Sequence, residues 1–285
     1  MNQIAVNHIH FSYNEELVIK DLSLHIDAGD FVCILGESGC GKSTLLRLLA
    51  GLSRPGCGSI QSDGAEIQAP SLERGVVFQD YSLYPWLTTG KNIMLSLQQK
   101  FPEKNKSQLK EEILFYLKQV GLNEATYNKY PNQLSGGMRQ RCAICRSFAL
   151  DPPVLLMDEP FGALDAVTRF RLQNMVREMW TDVGQNRKTI VFVTHDVEEA
   201  MYLATKIFVL GLKPSKVIYS YEFTDKDKSM SRNELFRQPE YLALRKELMN
   251  VLNNDIEERV KKNEEKNSDG IAGIQSGSFN GSMRK

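Results

Sequence analysis

Three short stretches of this sequence hold residue types at spacings able to do chemistry on phosphate. The first is Gly36-Glu37-Ser38-Gly39-Cys40-Gly41-Lys42-Ser43. Its glycines let backbone amides converge on anionic oxygens. It follows the apolar run Phe31 to Leu35 and precedes the helically spaced Lys42 to Leu49, the strand, loop and helix setting that a phosphate loop requires. There the helix amino terminus adds positive potential and Lys42 reaches the β and γ phosphates of a nucleoside triphosphate. The Ser43 hydroxyl binds magnesium and Thr44 reaches the α phosphate. Cys40, beside Lys42, is expected to have a thiolate favoured by that potential and to react with alkylating agents unless nucleotide shields it.

The second stretch places Asp158 and Glu159 directly after the apolar run Val154 to Met157, where ligands of open α/β sheets sit. Asp158 suits a hold on magnesium, direct or through its shell, and Glu159 suits orienting and deprotonating an attacking water. Alone, such acids are more often a solvated strand end; beside a phosphate loop the chemical reading is the stronger. The third stretch, Leu134 to Arg141, sets Ser135, Gly136 and Gly137 before a helix, which is either a plain cap or a second anion-binding amino terminus.

These groups need a scaffold, and the hydropathy pattern supplies one. Leu22, Leu24 and Ile26 alternate as in a half-buried strand, and Asp27 to Asp30 makes a turn. Buried-strand runs recur at Val154 to Met157, Ile190 to Thr194 and Lys206 to Leu210 with helical segments between them, which predicts a mostly parallel α/β sheet. Leu172, Met175, Val176 and Met179 mark one apolar helix stripe. From about Pro85 to Leu150 no strand pattern occurs and Leu109 to Val120 is amphipathic, so a helical insertion is expected. Ser231 and Glu234 form a capping-box pattern, and Leu244, Leu248, Leu252 and Ile256 a further helical stripe. From Asn263 onward Gly, Ser, Asn and Lys dominate and disorder is expected. The division is thus a cassette over 1–230, a helical extension over 231–262 and a tail over 263–285.

Composition excludes several classes. Lys plus Arg and Asp plus Glu both number 35, leaving no basic field to hold nucleic acid or an anionic membrane. The 5 cysteines are scattered, as in a reducing compartment. Cys142 and Cys145 lack a second pair or a nearby histidine, so helix packing is a better reading than metal or redox chemistry. Met1 to Phe11 has no basic start before an apolar block, so no signal peptide is expected, and no apolar run has membrane-spanning length. Asn128-Lys129-Tyr130-Pro131 lacks the acid a guanine-reading loop needs.

Leu134-Ser135-Gly136-Gly137-Met138-Arg139-Gln140-Arg141 resembles the signature sequence of ABC ATPases, and further matches run from Tyr13 to His195. The resemblance implies a P-loop NTPase, RecA-like α/β core with a mostly parallel sheet, an antiparallel β subdomain and the helical insertion. It implies ATP and Mg2+ as ligands. It also implies a head-to-tail dimer in which the signature of one copy (Ser135, Gly136, Gly137) closes on the γ phosphate held by Gly36 to Thr44 of the other. By the same resemblance Tyr13 stacks on adenine and Gln79 joins the magnesium site to the transporter-facing loop. Asp165 then crosses the dimer interface, and His195 contacts the γ phosphate. Read singly, Tyr13 is more often core, Gln79 a strand-end polar group and His195 structural.

Tyr84-Pro85-Trp86-Leu87-Thr88 looks like the corresponding stretch of importers for nitrate, sulfonates and taurine, while Lys213 to Ser220 departs from the usual end of the cassette. An import ATPase on the cytoplasmic face of the membrane is implied, joined to transmembrane permease subunits and, through them, to a solute-binding protein, with no nucleic-acid partner. An exporter ATPase is the first alternative. A nucleic-acid-directed ABC ATPase is disfavoured by the short span between Lys42 and Ser135 and by the neutral charge.

Overall fold

The structure, a computed structural model, describes residues 2–162, 164–181, 187–224, 227 and 230–275. Two sheets share the work of burial. The first is antiparallel, in the order β2-β1-β4-β5, from β1 (Ile4–Tyr13), β2 (Glu16–Ile26), β4 (Cys57–Ser62) and β5 (Ala65–Glu66). The second runs β10-β9-β3-β8-β7-β6 through β3 (Phe31–Leu35), β6 (Arg74–Val77), β7 (Val154–Asp158), β8 (Thr189–Thr194), β9 (Lys206–Leu210) and β10 (Val217–Glu222). All its pairings are parallel except β10 with β9.

The apolar strand runs follow from this position. Every side chain of β3, β7 and β8 is buried, because both faces of the second sheet are covered. Phe31, Cys33 and Leu35 enter one core with Leu155, Met157, Ile190 and Phe192. Val32 and Ile34 point the other way, into a second core with Val154, Leu156, Val191 and Val193. That second core is closed by the antiparallel sheet and α1 (Lys42–Leu49), which contributes Leu45, Leu46, Leu48 and Leu49.

The stretch from Pro85 to Leu150 contains no strand. It holds α2 (Thr89–Lys100), α3 (Lys106–Gln119), two short 3-10 turns and α4 (Gly136–Ala149). Thr88, Asn105 and Ser135 cap the three helices, the last accepting from the Met138 amide at 3.3 Å. Asn92 clamps the preceding loop: its side chain accepts from the Tyr84 amide at 2.7 Å and donates to the carbonyls of Tyr84, Leu87 and Thr88. The clamp turns the Trp86 ring outward, 69% exposed and 5.4 Å from the Tyr84 ring.

Among the described residues the remaining helices are α5 (Ala166–Thr181), α6 (Val197–Leu203), α7 (Arg232–Leu235) and α8 (Pro239–Gln275). In α5, Leu172, Met175 and Val176 are buried and Met179 packs against the same core. Ser231 and Glu234 close the capping box on α7. Tyr241, Leu244, Leu248 and Leu252 of α8 join the helical-side core, and Arg245 pairs with Glu198 of α6 at 3.0 Å.

Helix α8 continues to Gln275, past Asn263, where composition pointed to disorder. The run from Glu257 to Lys266 is mostly Glu, Lys and Arg, good helix formers on a helix already nucleated by packing. The rest of the expected tail, 276–285, lies outside the described residues.

Because Leu248 is fully buried, Leu248→Ala is expected to lower stability by about 2–5 kcal/mol in denaturant unfolding. Ending the chain after Lys262 removes none of the buried stripe and is expected to leave the unfolding midpoint unchanged.

Candidate functional site

A parallel sheet delivers the carboxyl ends of its strands to one edge. Leu35 of β3 lies opposite Thr194 of β8, Val193 opposite Asp158 of β7, and Met157 opposite Val77 of β6. The loops that follow therefore bring the phosphate loop, Gln79, Glu159 and His195 together. A cleft of about 340 Å³ opens there. Ser38, Gly39, Gly41, Lys42, Ser43 and Thr44 form one wall, and Gln79, Glu159 and Lys213 complete it.

Two glycines of the loop adopt a positive φ. Gly41, with φ at 108°, caps α1; a Cβ there would lie 2.8 Å from Ser215 Oγ and 3.2 Å from Val18 Cγ1. Gly39, with φ at 80°, has nothing within 4 Å of an added Cβ, so the cleft side of the loop is open. Lys42 is buried, its Nζ donating to the carbonyls of Gly36 at 2.9 Å and Glu37 at 3.0 Å. The same Nζ lies 3.6 Å from Glu159 Oε1.

Glu159 follows β7 with a left-handed backbone, φ 43°, an uncommon conformation for a residue with a side chain. Its amide donates to Val193 O at 3.1 Å, and its Oε2 lies 3.1 Å from His195 Nδ1. Asp158 beside it accepts from Ser43 Oγ at 3.0 Å. Burial pushes the Asp158 carboxyl above its ordinary range, against the opposing pull of the Ser43 hydrogen bond and the Lys42 charge. Below this edge Thr194 donates to buried Glu199, which also accepts from Gln173 Nε2 at 2.8 Å. Burial raises the Glu199 carboxyl too. Gln173 in turn accepts from Arg232 at 2.5 Å, so a buried polar chain links the residue before His195 to α7.

Not every expected residue lies in the cleft. Ser135, Gly136 and Gly137 do not line it; a Cβ on Gly136 would meet Tyr81 Oη at 3.3 Å and one on Gly137 would meet Leu164 at 3.1 Å. Asp165 is exposed at the start of α5, accepts from the Thr168 amide at 3.0 Å, and is held below the usual carboxylate range by Thr168. Tyr13 stands at the end of β1, 45% exposed, its ring edge-on to Phe11 at 4.8 Å. The expected reactivity of Cys40 is overturned. Its side chain is buried under the loop, and burial raises its thiol further than Lys42 lowers it. Cys142 and Cys145 are fully buried in the helical-side core, and burial pushes the Cys142 thiol up to about 11.

Lys213 was missed by sequence reasoning. The signal was present: it lies three residues beyond the buried strand Lys206–Leu210, at the same carboxyl edge as the other site residues. Asn92, which shapes the Tyr84 to Thr88 loop, gave no comparable signal, since a buried amide is recognised only by the carbonyls around it.

The donor set suits a nucleoside triphosphate with a hard divalent cation. Backbone amides at a helix amino terminus and a buried lysine answer phosphate, and the hydroxyl and carboxylate oxygens of Ser43 and Asp158 answer magnesium.

Comparison with known proteins agrees with that chemistry. The family described as "ABC transporter" matches residues 19–162. The nitrate import ATP-binding protein NrtD of Synechococcus elongatus is 40% identical over 236 residues, covering 83% of this chain and 85% of its own. The nitrate import ATP-binding protein NrtC of that organism is 41% identical over 254 residues, and the bicarbonate transport ATP-binding protein CmpC is 42% identical over 264. The alignments cover 87% and 91% of this chain but only 38% and 39% of those two relatives. Among solved structures, the dimeric cassette MJ0796 superposes with a TM-score of 0.71 at 32% identity, covering 78% of this chain and 99% of that one. Its post-hydrolysis state bound to ADP and Pi gives 0.70 at 31% identity. Among the described residues no helix is long and apolar enough to cross a membrane.

Two outcomes follow from the site's electrostatics. A carboxyl whose folded pKa is raised keeps its proton longer than the unfolded chain does. Its ionisation therefore removes stability as pH climbs from the ordinary 3.8 through the raised value, and the loss is complete above it. Asp158→Asn, which keeps an oxygen for Ser43, is expected to raise the nucleotide-free melting temperature at neutral pH, with the difference vanishing as pH falls to the ordinary carboxylate range. In brief alkylation read by mass spectrometry, exposed Cys57 is expected to be labelled ahead of buried Cys40, with or without nucleotide.

Proposed function

The chain belongs to the ABC transporter family, and from that premise we propose that it is an ATP-hydrolysing subunit working as a head-to-tail dimer to power import of a small anion. The names of its relatives point to nitrate or bicarbonate as the class of cargo. The observation that carries the reading is the cleft itself, where Lys42, Gln79 and Glu159 meet beside the Ser43–Asp158 pair.

Each side chain then has a distinct task. The amino terminus of α1 and Lys42 hold the phosphates, and Ser43 with Asp158 would hold magnesium, which screens phosphate charge when bound. Glu159 accepts the proton of the attacking water. His195, 3.1 Å from Glu159, orients that carboxylate on one side and faces the γ phosphate on the other. Gln79 lines the same cleft and leads through the Tyr84 to Thr88 loop toward exposed Trp86, which we assign to the contact with transmembrane permease subunits.

Dimerisation is supported by what the cleft lacks. Its lining, among the described residues, includes the phosphate loop but not Ser135, Gly136 or Gly137, which cap a second helix amino terminus elsewhere. A second copy turned head to tail would bring that terminus to the γ phosphate, with Asp165 at the interface and Tyr13 against the adenine. The solved relative MJ0796 is dimeric. Placement at the cytoplasmic face of the membrane follows from the permease partner, which would also link the cassette to a solute-binding protein.

Glu159→Gln keeps shape and hydrogen bonding but removes the base. It is expected to bind ATP with magnesium, elute as a dimer in size-exclusion chromatography, and hydrolyse at least about a hundredfold more slowly than wild type. Hydrolysis at the wild-type rate would overturn the assignment of Glu159.

A further inference from the structure

Strand β9 lies beside β3, with Val209 opposite Leu35, so the loop after it opens on the same edge as the phosphate loop. That loop is fastened at three points. Ser215 exchanges backbone hydrogen bonds with β2, its amide to Val18 O at 2.8 Å and its carbonyl from the Lys20 amide at 3.0 Å. Its hydroxyl donates to the Cys40 carbonyl within the phosphate loop. The Leu212 amide donates to Asp255 Oδ2 of α8 at 2.6 Å, a close approach that Gly211 permits, since a Cβ there would lie 3.1 Å from Asp255 Oδ1.

Between these anchors stands Lys213. It lines the cleft, and its Nζ lies 2.9 Å from Glu16 Oε1, with the two side chains 31% and 65% exposed. An ion pair this open to solvent contributes little to stability, so the ammonium can exchange its partner at small cost. Glu16 pairs with Tyr13 across the hairpin. Lys213 therefore spans from the hairpin that carries Tyr13 to the Ser38 to Thr44 wall of the cleft.

We propose that Lys213 is a second nucleotide-binding cation, which contacts the ribose and α-phosphate portion of the bound nucleotide between Tyr13 and Lys42. Asp255 is a positioning residue for it, acting through the Leu212 amide. The proposal rests on the reading of the cleft as an ATP site. It gives the carboxyl-terminal helix a part in nucleotide affinity.

An α-phosphate contact is shared by ATP and ADP, so its loss weakens both by the same factor. Isothermal titration with ATP and with ADP, magnesium withheld to prevent turnover, reads this directly. Lys213→Ala is expected to weaken both roughly tenfold, the loss of one partly exposed charge-assisted hydrogen bond, and Lys213→Arg to restore most of the affinity. Raising salt is expected to weaken binding to wild type more steeply than to Lys213→Ala. Asp255→Ala should weaken both nucleotides in part, and Asp255→Asn should restore them, because the amide oxygen still accepts from Leu212. If wild type binds neither nucleotide, the ATP-site reading fails and this proposal with it. If wild type binds and Lys213→Ala binds equally well, only the role of Lys213 is overturned. Loss of ATP affinity with ADP affinity intact would move the contact to the γ phosphate and also overturn the assignment.

Discussion

At Gly41 three distant parts of the chain meet within van der Waals distance. Val18 comes from the antiparallel sheet and Ser215 from the loop after β9, and both face the α-carbon at the point where the phosphate loop turns into α1. A side chain would have to displace one of them, and the φ of 108° would strain it as well. The direction of the α1 amino terminus, the burial of Lys42 and the openness of the loop at Gly39 all depend on this contact. It also explains why the two sheets act as one scaffold: the loop that holds phosphate is part of the seam between them.

The charges of the cleft are arranged around one imbalance. Asp158 and Glu159 stand side by side at the end of β7, partly withdrawn from water, and Lys42 is the buried cation nearest to them. On the proposed reading a bound polyphosphate would add further negative charge, which helix dipoles and cations would offset. Within one chain the α1 terminus, Lys42 and Lys213 line the cleft and would contribute. The α4 terminus behind Ser135 does not line the cleft, so in the proposed dimer it would supply this missing charge from the second copy.

Much of this architecture was legible because of where the strands sit. β3, β7, β8 and β9 are nearly continuous apolar runs, since both their faces are covered, and residues following such runs in a parallel sheet share one edge. Lys42, Asp158 and Glu159 could be read from that rule alone. Tyr13, Gln79, Asp165 and His195 could not, because nothing in their local sequence distinguishes them from ordinary surface or core residues; only the likeness to a family raised them. Cys40 was misread because adjacency to Lys42 in sequence says nothing about burial, and burial governs its thiol. The last helix runs past Asn263, since a polar composition denies a segment a core of its own but not a helix propagated from a packed start.

Strand β3 carries the phosphate loop at residues 31–35, yet both its sheet neighbours, β8 and β9, lie at 189–194 and 206–210. On a ribosome adding roughly 5–20 residues per second, the nascent β3 waits on the order of ten seconds or more for its partners. During that interval an apolar segment with two unpaired edges is exposed to other chains and to chaperones. The amino-terminal antiparallel sheet, whose strands are close in sequence, is free to form early and shelter one face of α1. The nucleotide site is thus among the last parts of the molecule to assemble in synthesis, and a chain interrupted before residue 210 leaves the ribosome with its phosphate loop unsupported.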